Sequence, residues 1–397
     1  MDTISIIIQL MGGLGLFIYG MKLMGDGLEN AAGESLKIIL EKVTSNRLMG
    51  VAIGAIVTAI IQSSSATTVM IVGFVNAGLM NLSQALGVIM GANIGTTITA
   101  QLVAFKLDHV APLFVFIGAA LVMFAKAKNR REIGNIILGF GILFTGMGIM
   151  SSSMSPISNS PAFTQVIVAI GNNWFIGIVA GMAITALLQS SSATTGILIA
   201  LASTGTIDIS IALPIVFGCN IGTCITAILA SIGTNKTAHK AALLHLVFNL
   251  VGTLIFIPFL GILGSFVQTT SNDISRQIAN AHTVFNIVNT AILLPFSNYI
   301  IRFVNKVIPG DDEIEKAGPK YIDDRVLETP VIAVGQVMKE TIRMANKARK
   351  NVQLSMDAFI KNDDNLISKV YENEKIINIL EECITTYLVK LSKCDLS

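Results

Sequence analysis

A polar heptapeptide, QSSSATT, occurs twice in this chain, each time inside apolar sequence. The first copy lies in TAIIQSSSATTVMIVG, residues 58–73, and the second in TALLQSSSATTGILIA, residues 185–200. Gln62 and Gln189, the first residues of the two copies, are 127 positions apart. Any fold of this chain must therefore hold the same polar cluster twice in apolar surroundings.

The composition is typical of a membrane protein. Apolar residues make up 52% of the chain and charged residues only 13%, against about 25% charged residues in a soluble domain. Up to about residue 302 the sequence is a series of apolar runs, each long enough for the roughly 20-residue helix that spans a bilayer. This predicts an all-α, polytopic membrane protein, and the cell (inner) membrane is its expected location.

Other classes find little support in the sequence. The net charge is only +2 and no basic run is interleaved with aromatic residues, so no nucleic-acid partner is indicated. Four cysteines without paired spacing indicate neither a disulfide framework nor a zinc site. The opening MDTISIIIQ lacks the basic start of a signal peptide, so the first apolar run is expected to stay as an anchor. The membrane segments contain no G-x-S-x-G motif and no base near a serine, which argues against an enzyme.

The duplication extends beyond the heptapeptide. GANIGTTITA, residues 91–100, recurs as GCNIGTCITA, residues 218–227, again 127 positions later. GLGLFIYGM, residues 13–21, resembles GFGILFTGM, residues 139–147. We therefore expect one transmembrane repeat over residues 1–127 and a second, with a closing helix, over residues 128–305.

Flanking charge predicts that the two repeats have opposite orientations, because short cytoplasmic loops are rich in lysine and arginine. The first span is followed by Lys22, Lys37, Lys42 and Arg47, whereas residues 151–173 carry no charge. The linker KNRRE, residues 128–132, belongs in the cytoplasm. These positions of basic and uncharged loops agree only if the repeats are inverted, with the N-terminus outside and the C-terminal tail in the cytoplasm.

The same topology requires residues 48–79 and 174–205 to be re-entrant hairpins with QSSS at their tips, since each arm of about 14 residues is too short to cross alone. Inverted repeats with interrupted helices point to a secondary transporter that works by alternating access. Gly91, Gly95, Gly218 and Gly222 are expected to unwind the NIGT segments into broken helices. The predicted full spans are residues 4–24, 82–104, 108–126, 133–150, 210–232, 241–261 and 278–301.

The chemistry of the interrupted segments suggests a bound anion together with a cation. Helix arms that begin at a break present free N–H groups to an anion, and arms that end there present carbonyls to a cation. Residues 48–104 contain no charged side chain or histidine, and residues 174–232 contain only Asp208. An anion here would need co-bound cations, and because divalent metals usually require carboxylates, sodium is the expected coupling ion, with no metal site beyond it. Simple packing of small residues is the alternative for each segment.

The paired QSSSATT segments, with GANIGTT and GCNIGTC downstream, resemble the type II sodium–phosphate cotransporter family in its bacterial form, over about 300 residues. The resemblance implies sodium-driven uptake of inorganic phosphate, and a similarity to dicarboxylate–sodium symporters implies an elevator-like movement. A homodimer is compatible with it. The expected substrate-binding residues are Ser63, Ser64, Ser65, Ser190, Ser191, Ser192, Asn93 and Thr96, and the expected sodium ligands are Gln62, Gln189, Asn220 and Thr223.

Two segments depart from the family pattern. ALLHLVFN, residues 242–249, resembles the family's H-D-x-F-N piece, but Leu246 stands where electrogenic members carry aspartate, and Thr283 takes that place in ANAHTVFN, residues 279–286. The charge stoichiometry therefore stays open. We expect His245 and His282 to hydrogen-bond at helix interfaces and not to bind ligands.

A charged linker, residues 306–330, leads to a tail over residues 331–397 that resembles part of a PhoU-like domain built of two helices. Its E-x-x-x-D metal spacing is lost, because Asn378 follows Glu374. The tail is either a regulatory domain with its own partner or a solvated helical hairpin. Two other functions stay open for the membrane part, namely sodium-coupled transport of another divalent oxyanion or a dicarboxylate, and anion sensing by a receptor.

Overall fold

The computed structural model of the protein describes residues 3–32, 47–76, 80–105, 107, 109–158, 165, 173–205, 207–310, 318–327, 329–361 and 364–394. Within these ranges the regular structure is helical, without strands. Five helices are long and apolar enough to cross a membrane, or six if one bent pair counts as a span. The prediction of an all-α membrane protein is confirmed. Lys37, Lys42, most of the loop after residue 158 and residues 77–79 of the first predicted hairpin lie outside the described residues.

The described part of the first repeat region contains six helices. They are α1 (Thr3–Ala32), α2 (Arg47–Ile61), α3 (Ser64–Asn76), α4 (Leu82–Gly95), α5 (Thr97–Val103) and α6 (Ala111–Phe124).

The second region contains eight helices in the described ranges. They are α7 (Lys128–Ser158), α8 (Trp174–Leu188), α9 (Ser191–Ser203), α10 (Ile209–Ser231), α11 (Lys236–Phe256), α12 (Leu260–Gln268), α13 (Ile274–Leu293) and α14 (Ser297–Val307). A single 3₁₀ turn, Ile257–Phe259, joins α11 to α12.

Glycines let α1 and α7 pack with their backbones in contact. A methyl group on Gly13 would lie 2.9 Å from the carbonyl oxygen of Gly146, and one on Gly20 would lie 2.7 Å from that of Gly139. Since residue numbers rise along α1 while they fall along α7, the two helices are antiparallel. α6 packs against α7 in the same way, with Gly118 at Leu138.

The arms before the two QSSS segments pack in parallel with the helices that carry the NIGT segments. Residue numbers rise together along the two helices, because Gly87 of α4 contacts Arg47 of α2 and Gly91 contacts Val51. The equivalent contacts in the second region join α8 to α10, with Gly181 against Ile215. A side chain at any of these glycines would overlap backbone atoms of the neighbouring helix, so the glycines fix how closely each pair approaches.

This packing corrects the expectation that the NIGT segments unwind. α10 is continuous through residues 218–224. Between α4 and α5 lies only Thr96, whose backbone angles of φ −64° and ψ −21° are also helical. Residues 82–103 therefore form one candidate span. The predicted broken helices at these two places are wrong, because Gly91, Gly95, Gly218 and Gly222 serve close approach to the neighbouring arm and not unwinding.

The closing span also differs from its prediction. Residues 278–301 were expected to cross in one piece, but α13 and α14 are bent by 82° at the break between them. Pro295 lies in this break and cannot donate the amide hydrogen bond that a continuing helix needs. The predicted span at residues 108–126 contains the 14-residue α6, about 21 Å long at 1.5 Å per residue.

The tail contains the two predicted helices, α15 (Pro330–Lys361) and α16 (Asp364–Leu391). They pack antiparallel, because Ala333 and Val337 near the start of α15 share an apolar cluster with Ile384, Tyr387 and Leu391 near the end of α16. A 3₁₀ turn, Asp324–Val326, precedes them.

Candidate functional site

Each QSSS segment begins with a glutamine in the left-handed backbone region. Gln62 has φ 60° and Gln189 has φ 53°, and they are the two non-glycine residues with positive φ in the described part of the chain. This conformation costs a residue with a Cβ about 1–2 kcal/mol, a cost that glycine would avoid. Strained backbone of this kind concentrates at functional sites, so the glutamine side chains are candidates for a role.

The chain reverses direction at both glutamines. Thr58 Oγ1 donates to Thr67 Oγ1 at 3.0 Å, and Thr185 Oγ1 donates to Thr194 Oγ1 at 2.9 Å. Residues nine apart in a continuous helix would be separated by roughly 13.5 Å along its axis. We call the pair α2 and α3 hairpin 1, and the pair α8 and α9 hairpin 2.

The first serine of each tip is an N-cap. Ser63 Oγ accepts from Ala66 N at 3.1 Å, and Ser190 Oγ accepts from Ala193 N at the same distance. Such caps satisfy one of the free amides at the start of a helix. Ser63 and Ser190 therefore shape the tips, and their hydroxyls are already engaged.

The second serines have free hydroxyl groups. Ser64 and Ser191 are only 4% and 3% exposed, and neither hydroxyl has a hydrogen-bond partner among the described residues. Each lies in the first turn of a helix, where the positive end of the helix dipole favours an anion. These two hydroxyls are therefore available as donors at the tips.

The two tips meet each other. Ser65 Oγ of hairpin 1 donates to the carbonyl oxygen of Gln189 in hairpin 2 at 3.1 Å. Thr96, between α4 and α5, lies 3.3 Å from Ser192 of hairpin 2, oxygen to oxygen, in a buried position. The structure thus brings substrate-binding candidates from both repeats into one place.

Asn93 and Asn220, the asparagines of the NIGT segments, are held by asparagines from later helices. Asn93 Nδ2 donates to Asn249 Oδ1 at 2.7 Å, and Asn220 Nδ2 donates to Asn286 Oδ1 at 2.8 Å. All four residues are buried. Sequence reasoning did not include Asn249 and Asn286, although each ends an H-x-x-F-N segment that it had singled out.

The histidines of those segments behave differently from each other. His282 Nε2 lies 3.1 Å from Asn220 Oδ1, which agrees with its expected role in a helix interface. His245 is fully buried, and its two ring nitrogens have no hydrogen-bond partner among the described residues.

The side chains of the four sodium candidates do not contact one another in a shared hydrogen-bond network among the described residues. Thr99 Oγ1 donates to Gln62 Oε1 at 2.8 Å, and Gln62 Nε2 donates to Ala59 O, so the Gln62 side chain bonds within its own repeat. Thr223 Oγ1 donates to Cys219 O of its own helix at 2.9 Å. The Gln189 side chain is exposed and makes no hydrogen bond within the described residues.

The two QSSSATT segments carry no charged side chain. Asp208, the single charged residue of residues 174–232, caps α10 by accepting from Ser210 N at 2.9 Å and Ile211 N at 3.1 Å. The tips offer neutral oxygens and amides alone. Co-bound cations would offset the charge of an anion held at these helix N-termini.

Comparisons with known proteins agree with this chemistry. The family model described as Na+/Pi-cotransporter matches residues 16–152 and 146–294, and that of the PhoU domain matches residues 341–395. The chain is 26% identical to the putative inorganic phosphate export protein YjbB of Escherichia coli K12 over 98% of its length and 72% of that protein. It is 32% identical to the uncharacterized protein YqeW of Bacillus subtilis over 74% of its length and 95% of that protein.

A third relative is the rat sodium-dependent phosphate transport protein 2A. The identity is 36% over 97 residues, which cover 24% of this chain and 15% of the rat protein. The search of solved structures finds no match.

Proposed function

The chain belongs to the Na+/Pi-cotransporter family, a family of transporters and not of enzymes, and from this premise we propose that it carries inorganic phosphate across the cell membrane together with sodium. The observation that carries the proposal is the contact between the two hairpin tips, Ser65 to Gln189. It joins the N-termini of α3 and α9, whose QSSSATT segments carry no charged side chain.

Phosphate is proposed to bind at the free hydroxyls of Ser64 and Ser191 and at the first amides of α3 and α9. Ser65, Ser192, Asn93 and Thr96 would line the site, with Ser63 and Ser190 holding its shape. A phosphate contacted by hydroxyl and amide donors gains charge-assisted hydrogen bonds.

Sodium coupling follows from the absence of positive side chains in the sequence of these segments. A phosphate that entered alone would be an uncompensated anion in a low-dielectric site, which costs several kcal/mol. Neutral oxygens suit sodium, and we assign them to Gln62, Gln189, Asn220 and Thr223. By linkage, sodium and phosphate must raise each other's affinity by the same factor.

Alternating access is supported by the way the helices pack. α1 and α7, which begin the two repeats, are antiparallel, as inverted repeats require. Each hairpin packs closely on a helix that carries an NIGT segment, through contacts such as Gly54 to Val88 and Gly181 to Ile215. An elevator-like movement would carry these elements together against the group formed by α1, α6 and α7.

The direction of transport has two candidates. Sodium coupling drives phosphate inward wherever the sodium gradient points inward, and uptake is our proposal. The second candidate is export, because the Escherichia coli relative that aligns along 98% of this chain is named a phosphate export protein.

Uptake of labelled phosphate into proteoliposomes tests this proposal. We expect accumulation with an inward sodium gradient, none with choline in place of sodium, and little competition from sulfate or succinate. Accumulation that ignores sodium would refute the coupling, and competition by succinate at equal concentration would favour a dicarboxylate. Saturable binding without flux would favour a receptor, and efflux from loaded vesicles with no uptake under any gradient would favour export.

The orientation can be tested independently with an impermeant thiol reagent on whole cells. In a background without the native cysteines, a cysteine that replaces Ser158 should react from outside, whereas one that replaces Asn129 should not. The reverse pattern would invert the topology, and reaction of both from one side would contradict inverted repeats.

A further inference from the structure

A short segment between the membrane part and the tail lies on hairpin 1. We call residues 323–326 the strap. Val326 is 2% exposed and belongs to the same apolar cluster as Ile71, Val72 and Val75 of α3. A methyl group on Gly73 would lie 3.5 Å from Val326 Cγ2, so the strap is in van der Waals contact with the helix.

The side chain of Asp323 joins the strap to the end of hairpin 1. Asn76, the last residue of α3, donates from Nδ2 to Asp323 Oδ2 at 2.7 Å, and its Oδ1 accepts from Asn235 N at 2.9 Å. Asn235 in turn caps α11 by accepting from Ala238 N at 2.8 Å. The end of hairpin 1 is therefore held by both the strap and the start of α11.

Arg325 keeps the Asp323 carboxylate charged. Its guanidinium donates to Asp323 at 2.6 Å and 2.9 Å, and also to the carbonyl oxygen of Ala230 in α10. Burial by itself raises the pKa of Asp323, but the hydrogen bonds and charge of Arg325, with the Asn76 amide, outweigh it and hold the pKa below its usual value. Asn76 thus bonds to an ionised acceptor, the stronger kind of hydrogen bond.

The main chain of the same residue joins the strap to the tail. Tyr387 of α16 is 3% exposed and donates from its hydroxyl to the carbonyl oxygen of Asp323 at 2.9 Å. Lys390 also pairs with Asp324 at 2.5 Å, but both side chains are exposed and such pairs contribute little. A single residue, Asp323, therefore touches hairpin 1 with its carboxylate and the tail with its carbonyl.

Hairpin 2 has a different attachment. Ser203, which the 127-residue offset matches to Asn76, lies 3.0 Å from Ser151 of α7, oxygen to oxygen. In the described part of the chain the tail thus reaches hairpin 1 but makes no hydrogen bond to hairpin 2. A movement of α16 can therefore act on hairpin 1 through Asp323.

We propose that the strap is the element through which the PhoU-like tail restrains hairpin 1, so that displacement of α16 releases the hairpin and raises the rate of transport. The rate part rests on the proposed function, whereas the restraint itself does not. Moving α3 away from its present position must break the bond from Asn76 to Asp323 and expose Val326. A ligand or protein that binds the tail and shifts Tyr387 would weaken the same connection.

Exchange of the Asn76–Asp323 pair tests the restraint in the full-length protein. Asn76→Asp places two carboxylates at hydrogen-bond distance, and adding Asp323→Asn restores a donor opposite an acceptor. We expect hydrogen–deuterium exchange in residues 64–76 to rise at least tenfold in the single variant, with residues 191–203 unchanged, and to return toward the original rate in the double variant. Ser203→Asp, which adds a carboxylate to the matched end of hairpin 2, is the control and should leave residues 64–76 unaffected.

The transport readout uses the same variants in proteoliposomes. The maximal rate of phosphate uptake should rise severalfold in Asn76→Asp and return in the double variant, with the half-saturating phosphate concentration unchanged. Tyr387→Phe, which keeps the packing and removes one hydrogen bond to the strap, should give a smaller rise, while Tyr371→Phe on the exposed side of α16 should give none. Unchanged exchange in Asn76→Asp, a double variant as perturbed as the single one, or a lower rate would overturn the proposal. Because exchange needs no phosphate flux, it decides the restraint even if transport itself fails.

Discussion

Hairpins 1 and 2 have the same tip sequence but different surroundings. In hairpin 1 the Gln62 side chain accepts a hydrogen bond from Thr99, and Asn76 at the far end of α3 donates one to Asp323 of the strap. In hairpin 2 the Gln189 side chain is exposed and without a partner among the described residues, and Gly196 of α9 packs on the ring of Phe17. Thr226, the residue that matches Thr99, donates from Oγ1 to Thr223 O in its own helix. Identical sequence fixes the shape of the two tips, while their neighbours decide which polar atoms stay available.

The largest expected effect is on phosphate affinity and tests the free serine hydroxyls that both hairpins have. Ser64→Ala and Ser191→Ala each remove one free donor to phosphate, and a hydrogen bond to a charged group is worth about 1.5–3 kcal/mol, or roughly 10–100-fold in affinity. We expect each variant to raise the phosphate concentration for half-maximal uptake by that factor, and the protein to stay folded.

Ser265→Ala, which removes an exposed hydroxyl of α12 that bonds to Gly261 O of its own helix, is the control and should transport normally. Wild-type uptake by both tip variants would leave the tips with a packing role alone. A loss in one variant only would show that the two tips do not share the substrate equally.

The second-largest expected effect concerns stability, because a methyl group added to hairpin 2 meets a more tightly packed neighbour than one added to hairpin 1. Gly196→Ala would push a methyl group into the fully buried ring of Phe17, and overpacking of a core typically costs about 1–3 kcal/mol. Gly73→Ala meets Val326 at an ordinary 3.5 Å and should be neutral or slightly stabilising, since alanine favours a helix interior by about 0.5–1 kcal/mol. Thermal unfolding in detergent measures both, and equal stability of the two variants would contradict the difference.

The third effect concerns sodium. Because Gln189 is free and Gln62 is engaged by Thr99, Gln189→Leu should raise the sodium concentration for half-maximal uptake about tenfold, equivalent to about 1.4 kcal/mol. Gln62→Leu should raise it less. The half-maximal phosphate concentration, measured at saturating sodium, is the internal control. A larger sodium shift from Gln62→Leu would reverse the assignment of the stronger sodium ligand.

The smallest effect returns to what the tips share. Gln189→Gly removes the left-handed strain, so it should stabilise the fold by about 1 kcal/mol while it weakens sodium-dependent uptake. Gln62→Gly removes the same strain but also the acceptor of the buried Thr99 hydroxyl, so its gain in stability should be smaller. Denaturant unfolding and uptake are measured on the same preparation. A glycine variant that gains stability and keeps full sodium dependence would show that the glutamine side chains serve no ion.

Much of the fold could be predicted because its signals are local or repeated. Apolar runs led to the correct helical class, whereas the inverted orientation that flanking charge indicates stays a prediction. The NIGT segments were misjudged because glycine permits both unwinding and close helix contact, and only the position of Val51 and Ile178 shows which one applies. The bend at Pro295 was missed although proline is a recognised break signal.

The candidate site was predictable in its residue types and less so in its connections. Serines and asparagines at repeated positions identified the polar cluster, but the cap role of Ser63 and Ser190 depends on local backbone angles. The hydrogen bonds of Asn249 and Asn286 to the NIGT asparagines depend on how α11 and α13 pack against the NIGT helices, which the sequence does not show.

The sequence by itself determined that the chain is an apolar helical protein with two copies of one polar motif, because hydropathy and repetition are properties of neighbouring or regularly spaced residues. Only the tertiary structure decided that Ser65 meets Gln189, that Gln62 is engaged while Gln189 is free, and that Asp323 joins hairpin 1 to the tail. These contacts join residues that are far apart along the chain. Their partners depend on how closely glycine-lined helices approach each other and on which face each helix buries, and no local pattern encodes either.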